Sequence, residues 1–219
     1  MNNIELRLPL EHIYLNQPFG VSYVNFYTSL GLLGHNGIDL RAFDNCKTYA
    51  THDGEIISCG TDSTGGIDVT IWNKENCFKT VHYHLKSFIV KKGQKVKAGE
   101  LIGFCDNTGK YTTGSHLHFG LKLTDNNGNT LNYNNGYNGA IDPAPYFKFA
   151  FDGTSIGNKD WDKSRCYHRY YRGRPKGGYQ NELRILSILG KKKIWPTAER
   201  INALVYGAWP IESIQNPAM

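Results

Sequence analysis

Apolar residues in the first two thirds of the chain recur mostly at every second position, in short runs broken by Gly, Asn and Asp. Ile67, Val69 and Ile71 alternate with polar neighbours, and Val81, Tyr83 and Leu85 do the same. Such a period predicts strands with one face toward a core. The pattern predicts strands over Thr48–Ala50, Gly54–Cys59, Ile67–Trp72, Phe78–Leu85, Leu101–Phe104 and Gly114–Phe119. In the Phe78–Leu85 strand this phase puts Thr80, His82 and His84 together on the face opposite Val81 and Tyr83. Asn126–Asn129 reads as a hairpin turn between strands Leu121–Thr124 and Thr130–Tyr133. No helix of useful length is expected before residue 150, so the fold class is mainly β, built on antiparallel sheet.

The pattern changes late. Residues 150–178 show no clear period and read as a linker. Asn181–Leu189 has helical spacing with Gly190 behind it, and a second short helix is expected after Thr197. Two domains follow: a β domain over 1–150 and a basic, aromatic segment with a small helical appendage over 151–219.

Charge sharpens this division. Residues 1–158 hold 13 Lys+Arg and 14 Asp+Glu, whereas 159–200 hold 12 and 4. The excess favours an anionic partner for 159–200, with an anionic wall polymer preferred. A nucleic acid is disfavoured, because no Cys/His finger or RNA-binding signature is present. The five cysteines, Cys46, Cys59, Cys77, Cys105 and Cys166, form no Cys-x-x-Cys and read as reduced core residues. The start of the chain lacks the basic and apolar pattern of a signal peptide, and no apolar run is long enough to span a membrane.

Candidate chemistry lies in three places. His116 and His118 are two apart and share one strand face, with Leu117 and Phe119 on the other. His35 and Asp39 are four apart within Gly34-His35-Asn36-Gly37-Ile38-Asp39, and His84 stands on the Phe78 strand. A hydrolytic zinc site needs three N or O ligands and one open position. His35, Asp39 and one member of the His116/His118 pair supply that set. The two remaining imidazoles are then available for proton transfer and charge stabilisation. His12, His52 and His168 have no spaced partner and read as structural or surface residues. His82 shares the predicted face of His84. Tyr111 and Asn107 lie in the loop before His116, and with His82 are candidates for contact with substrate.

Five segments in order, Gly34–Asp39, His82–Leu85, Val90–Gly99, Gly103–Gly109 and Gly114–Phe119, resemble the lysostaphin-type (LytM-like) zinc endopeptidases of peptidase family M23. The resemblance runs from about Phe19 to Leu121. It implies a duplicated-hybrid-motif-like antiparallel core and one Zn2+ per chain held by His35, Asp39 and His118. It implies His116 as general base with His84 as its catalytic partner, and peptidoglycan peptides as substrate. Some members of the family are non-catalytic wall-binding or activator domains, but this chain keeps all five positions. His82 stands where the family has Tyr, and Asp106 where a small residue is expected. An unsignalled wall hydrolase resembles a phage lysin, made in the cytoplasm and released to the wall, with unidentified secretion as the alternative; a monomer is expected.

Overall fold

The computed structural model of the chain describes residues 3–11, 15–21, 26–149 and 153. All of the linker but Gly153, both expected helices, the basic stretch 159–200, Cys166, His12 and His168 lie outside the described residues. The elements are β1 (Leu6–Arg7), β2 (Leu15–Gln17), the helical turn α1 (Phe26–Ser29), β3 (Ile38–Arg41), β4 (Lys47–Tyr49), β5 (Gly54–Asp62) and β6 (Gly66–Asn73). They continue with β7 (Phe78–Phe88), β8 (Lys95–Val96), β9 (Leu101–Cys105), β10 (His116–Leu123), β11 (Ala140–Ile141) and β12 (Phe147–Phe149).

Ten of these strands form one sheet along the path β2-β3-β10-β7-β6-β5-β8. β11 is added on β10, and β9 bridges β7 and β4. Every pair in this sheet is antiparallel, as the short, turn-separated runs predict. The parallel pair β1–β12 joins the two ends of the described chain. Among the described residues no helix is long and apolar enough to cross a membrane.

β10 is central, and its alternation decides where the site lies. Leu117, Phe119 and Leu121 are fully buried and pack with Ile38, Leu40, Phe78 and Phe147. Truncating Phe119 to Ala would cost about 3–5 kcal/mol, the range for a buried aromatic ring. The intervening residues His116, His118, Gly120 and Lys122 face the other way, into a groove. A slip of one residue against β3 would exchange the two sets.

Two expectations are corrected. The first concerns β7, where His82 and His84 do not share a face. His84 has φ of 63°, a left-handed conformation. Ile67 pairs Leu85 and Val69 pairs His82, so Tyr83 and His84 together oppose Asp68. This bulge reverses the alternation. His82 enters the core and is fully buried, Leu85 follows it inward, and His84 turns to the groove. The second concerns Thr130–Tyr133, which is not a strand. Only the bridge Thr124–Thr130 forms, around a turn in which Asp125 accepts from the backbone N–H groups of Asn127 and Asn129. Positive φ at Asn132, Gly136, Asn138 and Gly139 coils the segment beyond it. Cys105 is buried as expected, whereas the thiols of Cys46, Cys59 and Cys77 are half-buried.

Candidate metal centre and groove

His35 lies in the loop that enters β3. Its backbone N–H donates to Val21 O at 3.1 Å and its carbonyl accepts from Gly20 N at 2.8 Å. The chain before it is thereby fixed, and the His35 ring is set by a third contact, Nδ1 to Pro18 O at 3.1 Å. That carbonyl has no proton to give, so Nδ1 carries the hydrogen and Nε2 presents a lone pair. Asp39 sits on β3 between the buried Ile38 and Leu40. On β10, His118 pairs with Asp39 on one side and Tyr83 on the other.

Three atoms converge from these two adjacent strands and the loop. His35 Nε2 is 3.1 Å from Asp39 Oδ1, His118 Nδ1 is 3.1 Å from the same oxygen, and the two nitrogens are 2.9 Å apart. Ligands about 2.0–2.1 Å from a tetrahedral zinc ion are about 3.3 Å from one another. The donor set is two imidazoles and a carboxylate, so it fits zinc in both chemistry and spacing.

Burial pushes the Asp39 pKa up, but the surrounding imidazoles of His35, His116 and His118, which when protonated attract the carboxylate and donate to it, outweigh this. The carboxyl is held well below its usual range. For His118, burial lowers the pKa to about 4 against the opposing hydrogen bond that its ring donates to Asp39. It is therefore a neutral imidazole at pH 7, as a ligand must be.

Beside this cluster stand His84 and His116, with ring centroids 4.6 Å apart. His116 Nδ1 is 2.7 Å from Gly114 O and His84 Nδ1 is 2.7 Å from Thr108 O. Each Nδ1 donates to a carbonyl, so in the neutral ring the lone pair is on Nε2. His116 Nε2 lies 3.6 Å from Asp39 Oδ1. Burial, then the field of His116, lowers the His84 pKa.

The five residues open into one groove of about 410 Å³. Its walls are aromatic and include Phe26, Tyr27, Tyr83, Tyr111 and Tyr133. Tyr111 meets Phe26 edge to face at 5.3 Å, so this sequence candidate does line the groove. Asn107 is exposed and lies outside the groove lining, and its Oδ1 accepts from the Thr112 hydroxyl. His82 is walled off in the core with its ring against Phe119 at 5.1 Å, so it does not reach a substrate. Thr108 and Pro18, which hold the rings of His84 and His35, carry no signal in the sequence because they act through main-chain carbonyls.

Residues 33–133 match the model of peptidase family M23. This stretch is an M23 peptidase domain. The chain is 31% identical over 173 residues to the glycyl-glycine endopeptidase ALE-1 of Staphylococcus capitis, which covers 76% of this chain and 45% of that protein. It is 38% identical over 87 residues to the peptidoglycan DD-endopeptidase ShyA of Vibrio cholerae, covering 40% of this chain and 20% of the relative. A solved zinc-containing peptidase from Vibrio cholerae superposes with TM-score 0.50 at 26% identity, over 64% of this chain and 39% of that one. The chain thus spans less than half the length of these relatives. The matched stretch contains all five groove residues His35, Asp39, His84, His116 and His118.

Proposed function

We propose that the chain is a zinc-dependent endopeptidase that hydrolyses amide bonds in the peptides of bacterial peptidoglycan. The carrying observation is the convergence of His35 Nε2, Asp39 Oδ1 and His118 Nδ1 beside two imidazoles with free Nε2 atoms. The names of its relatives, a glycyl-glycine endopeptidase and a peptidoglycan DD-endopeptidase, support the substrate class.

His35, Asp39 and His118 would hold one zinc ion per chain. When bound, the ion supplies Lewis acidity, which polarises a carbonyl and lowers the pKa of a water to roughly 7. His116 accepts the proton of the attacking water at Nε2 and returns it to the leaving amine. Its Nδ1–H remains on Gly114 throughout and keeps the ring aimed. His84 offers a second acceptor that orients the water. Having taken a proton from solvent at Nε2, it donates to the oxygen that becomes negative and returns that proton to solvent after cleavage. The aromatic walls hold the peptide extended past these groups.

The test is amino-group release from purified peptidoglycan by the zinc-loaded chain, with fragments identified by mass spectrometry. A chelator should abolish release and added zinc restore it. His118→Ala should lose both zinc and activity. His116→Ala should keep most zinc and lose roughly 10²–10⁴-fold in rate, the usual contribution of a positioned acid/base. No release by the zinc-loaded protein from walls with glycine bridges or with direct cross-links would overturn the proposal.

A further inference from the structure

The groove continues past the metal ligands, and its far end has a charge without a partner among the described residues. Four residues along β10 from His118, Lys122 lines the same groove. At about 3.3 Å per residue this places the two Cα atoms about 13 Å apart. Between them lies Gly120, paired with Val81, so no side chain rises from β10 there. A Cβ at Gly120 would have only Asn36 O and Val81 Cβ near it, both at 3.9 Å. The floor is therefore open enough for an extended peptide to run from the histidines to Lys122.

Lys122 is half-buried and has no ion-pair or hydrogen-bond partner among the described residues. The two carboxylates lining the groove are already engaged. Asp39 is bound by His35 and His118, and Asp62 accepts from Thr64 N and Gly65 N at 2.7 Å each. Lys122 also stands directly across from Lys79 on β7, where like charges are destabilising. Lys79 has turned away, with Nζ donating to Gly128 O at 2.8 Å. Burial, then the Lys79 charge, lowers the Lys122 pKa. A half-buried cation beside a second cation, in an open groove, is a position that an anion would relieve.

We propose that Lys122 is a specificity residue that binds a free carboxylate of the substrate peptide, three to four residues along the groove from the cleaved bond. This rests on the reading of the groove as a peptide-cleaving site and adds the charge its substrate must carry. The ammonium forms a charge-assisted hydrogen bond to that carboxylate, and a carboxamide at the same place gives up the ionic part.

The experiment uses pairs of synthetic peptidoglycan peptides, identical except that one carboxyl at this distance is free or amidated. The zinc-loaded full chain should favour the free acid by roughly tenfold in kcat/KM, with the difference in KM. Lys122→Met should bring the ratio near one, while Lys122→Arg keeps the preference. Melting and zinc content of both variants are measured alongside, since a damaged fold would lower both reactions and leave the ratio standing. An equal ratio in the wild type and Lys122→Met would overturn the inference and leave the peptidase reading intact. Failure of the zinc-loaded wild type to cleave either peptide, or whole walls, would sink the peptidase reading itself.

Discussion

Gly37 stands two residues after one proposed metal ligand and two before another, and its missing side chain is what allows the third to reach them. A Cβ built there would lie 2.6 Å from His118 Nε2, 2.8 Å from His118 Cε1 and 2.6 Å from Phe119 O. Ordinary contact begins near 3.4 Å. Gly37→Ala therefore forces the His118 ring, the β3 entry or both to move by about 0.8 Å. Zinc–nitrogen distances hold to within about 0.2 Å, so such a shift removes His118 from the coordination shell. Displacing a single supporting contact typically costs 10–100-fold in metal affinity, and loss of the ligand itself should cost at least that. Zinc titration against a competing chelator reads the effect, with thermal melting of the metal-free protein as the check on fold. Gly60→Ala is the control, because a Cβ there meets nothing within 4 Å. Zinc affinity in Gly37→Ala within twofold of Gly60→Ala would refute this account of how the three ligands come together.

Two further outcomes follow from the core and the floor of the groove. His52 is buried between Phe78, at 4.6 Å between ring centroids, and Thr80, and burial lowers its pKa to about 4. The unfolded chain, with an ordinary pKa near 6.5, binds the proton first, so this stability is present above pH 6.5 and lost as pH falls toward 4. Between pH 7 and pH 5 the loss from His52 alone should be about 2 kcal/mol, measured by urea midpoints. His82 is buried in the same core with its pKa lowered to about 3, and neither ring nitrogen is in hydrogen-bond geometry. His82→Leu should flatten the pH slope, and an unchanged slope would count against a titrating core. At Gly120 there is room for a side chain, so Gly120→Leu should fold and bind zinc yet lose roughly a hundredfold in kcat/KM by filling the groove. Normal turnover in that variant would mean that substrate does not lie along β10.

Much of the site is readable because strands translate spacing into direction. The parity of Leu117 and Phe119 against His116 and His118 is the parity observed. The glycines around His35 and Asp39 signal the tight loop that brings both to one point. What the sequence hides are departures from period. The bulge at His84 uses a left-handed histidine where a glycine would have announced it, so His82 and His84 separate without warning. The segment after Thr130 has strand-like residues, but Asn132 and Asn138 adopt left-handed conformations, which asparagine tolerates better than most side chains. Nothing in its spacing sets Lys122 apart from any other strand lysine. Its interest comes only from the side-chain partners that it lacks among the described residues.

The adjacency of β3 and β10 in space conceals their distance along the chain. Asp39 and His118 are separated by 79 positions. An ion shared by them is thus a cross-link that closes a long loop, in the manner of a removable disulfide. By the chain-entropy relation for such closures, a permanent link over this span would be worth roughly 4.5 kcal/mol against the unfolded chain. A reversible link approaches that figure only as far as metal concentration and affinity allow. Zinc supply would then govern how long the folded chain survives as well as whether it can react. Melting curves across a series of free-zinc concentrations would show that second dependence directly, as a rising midpoint in protein given no substrate.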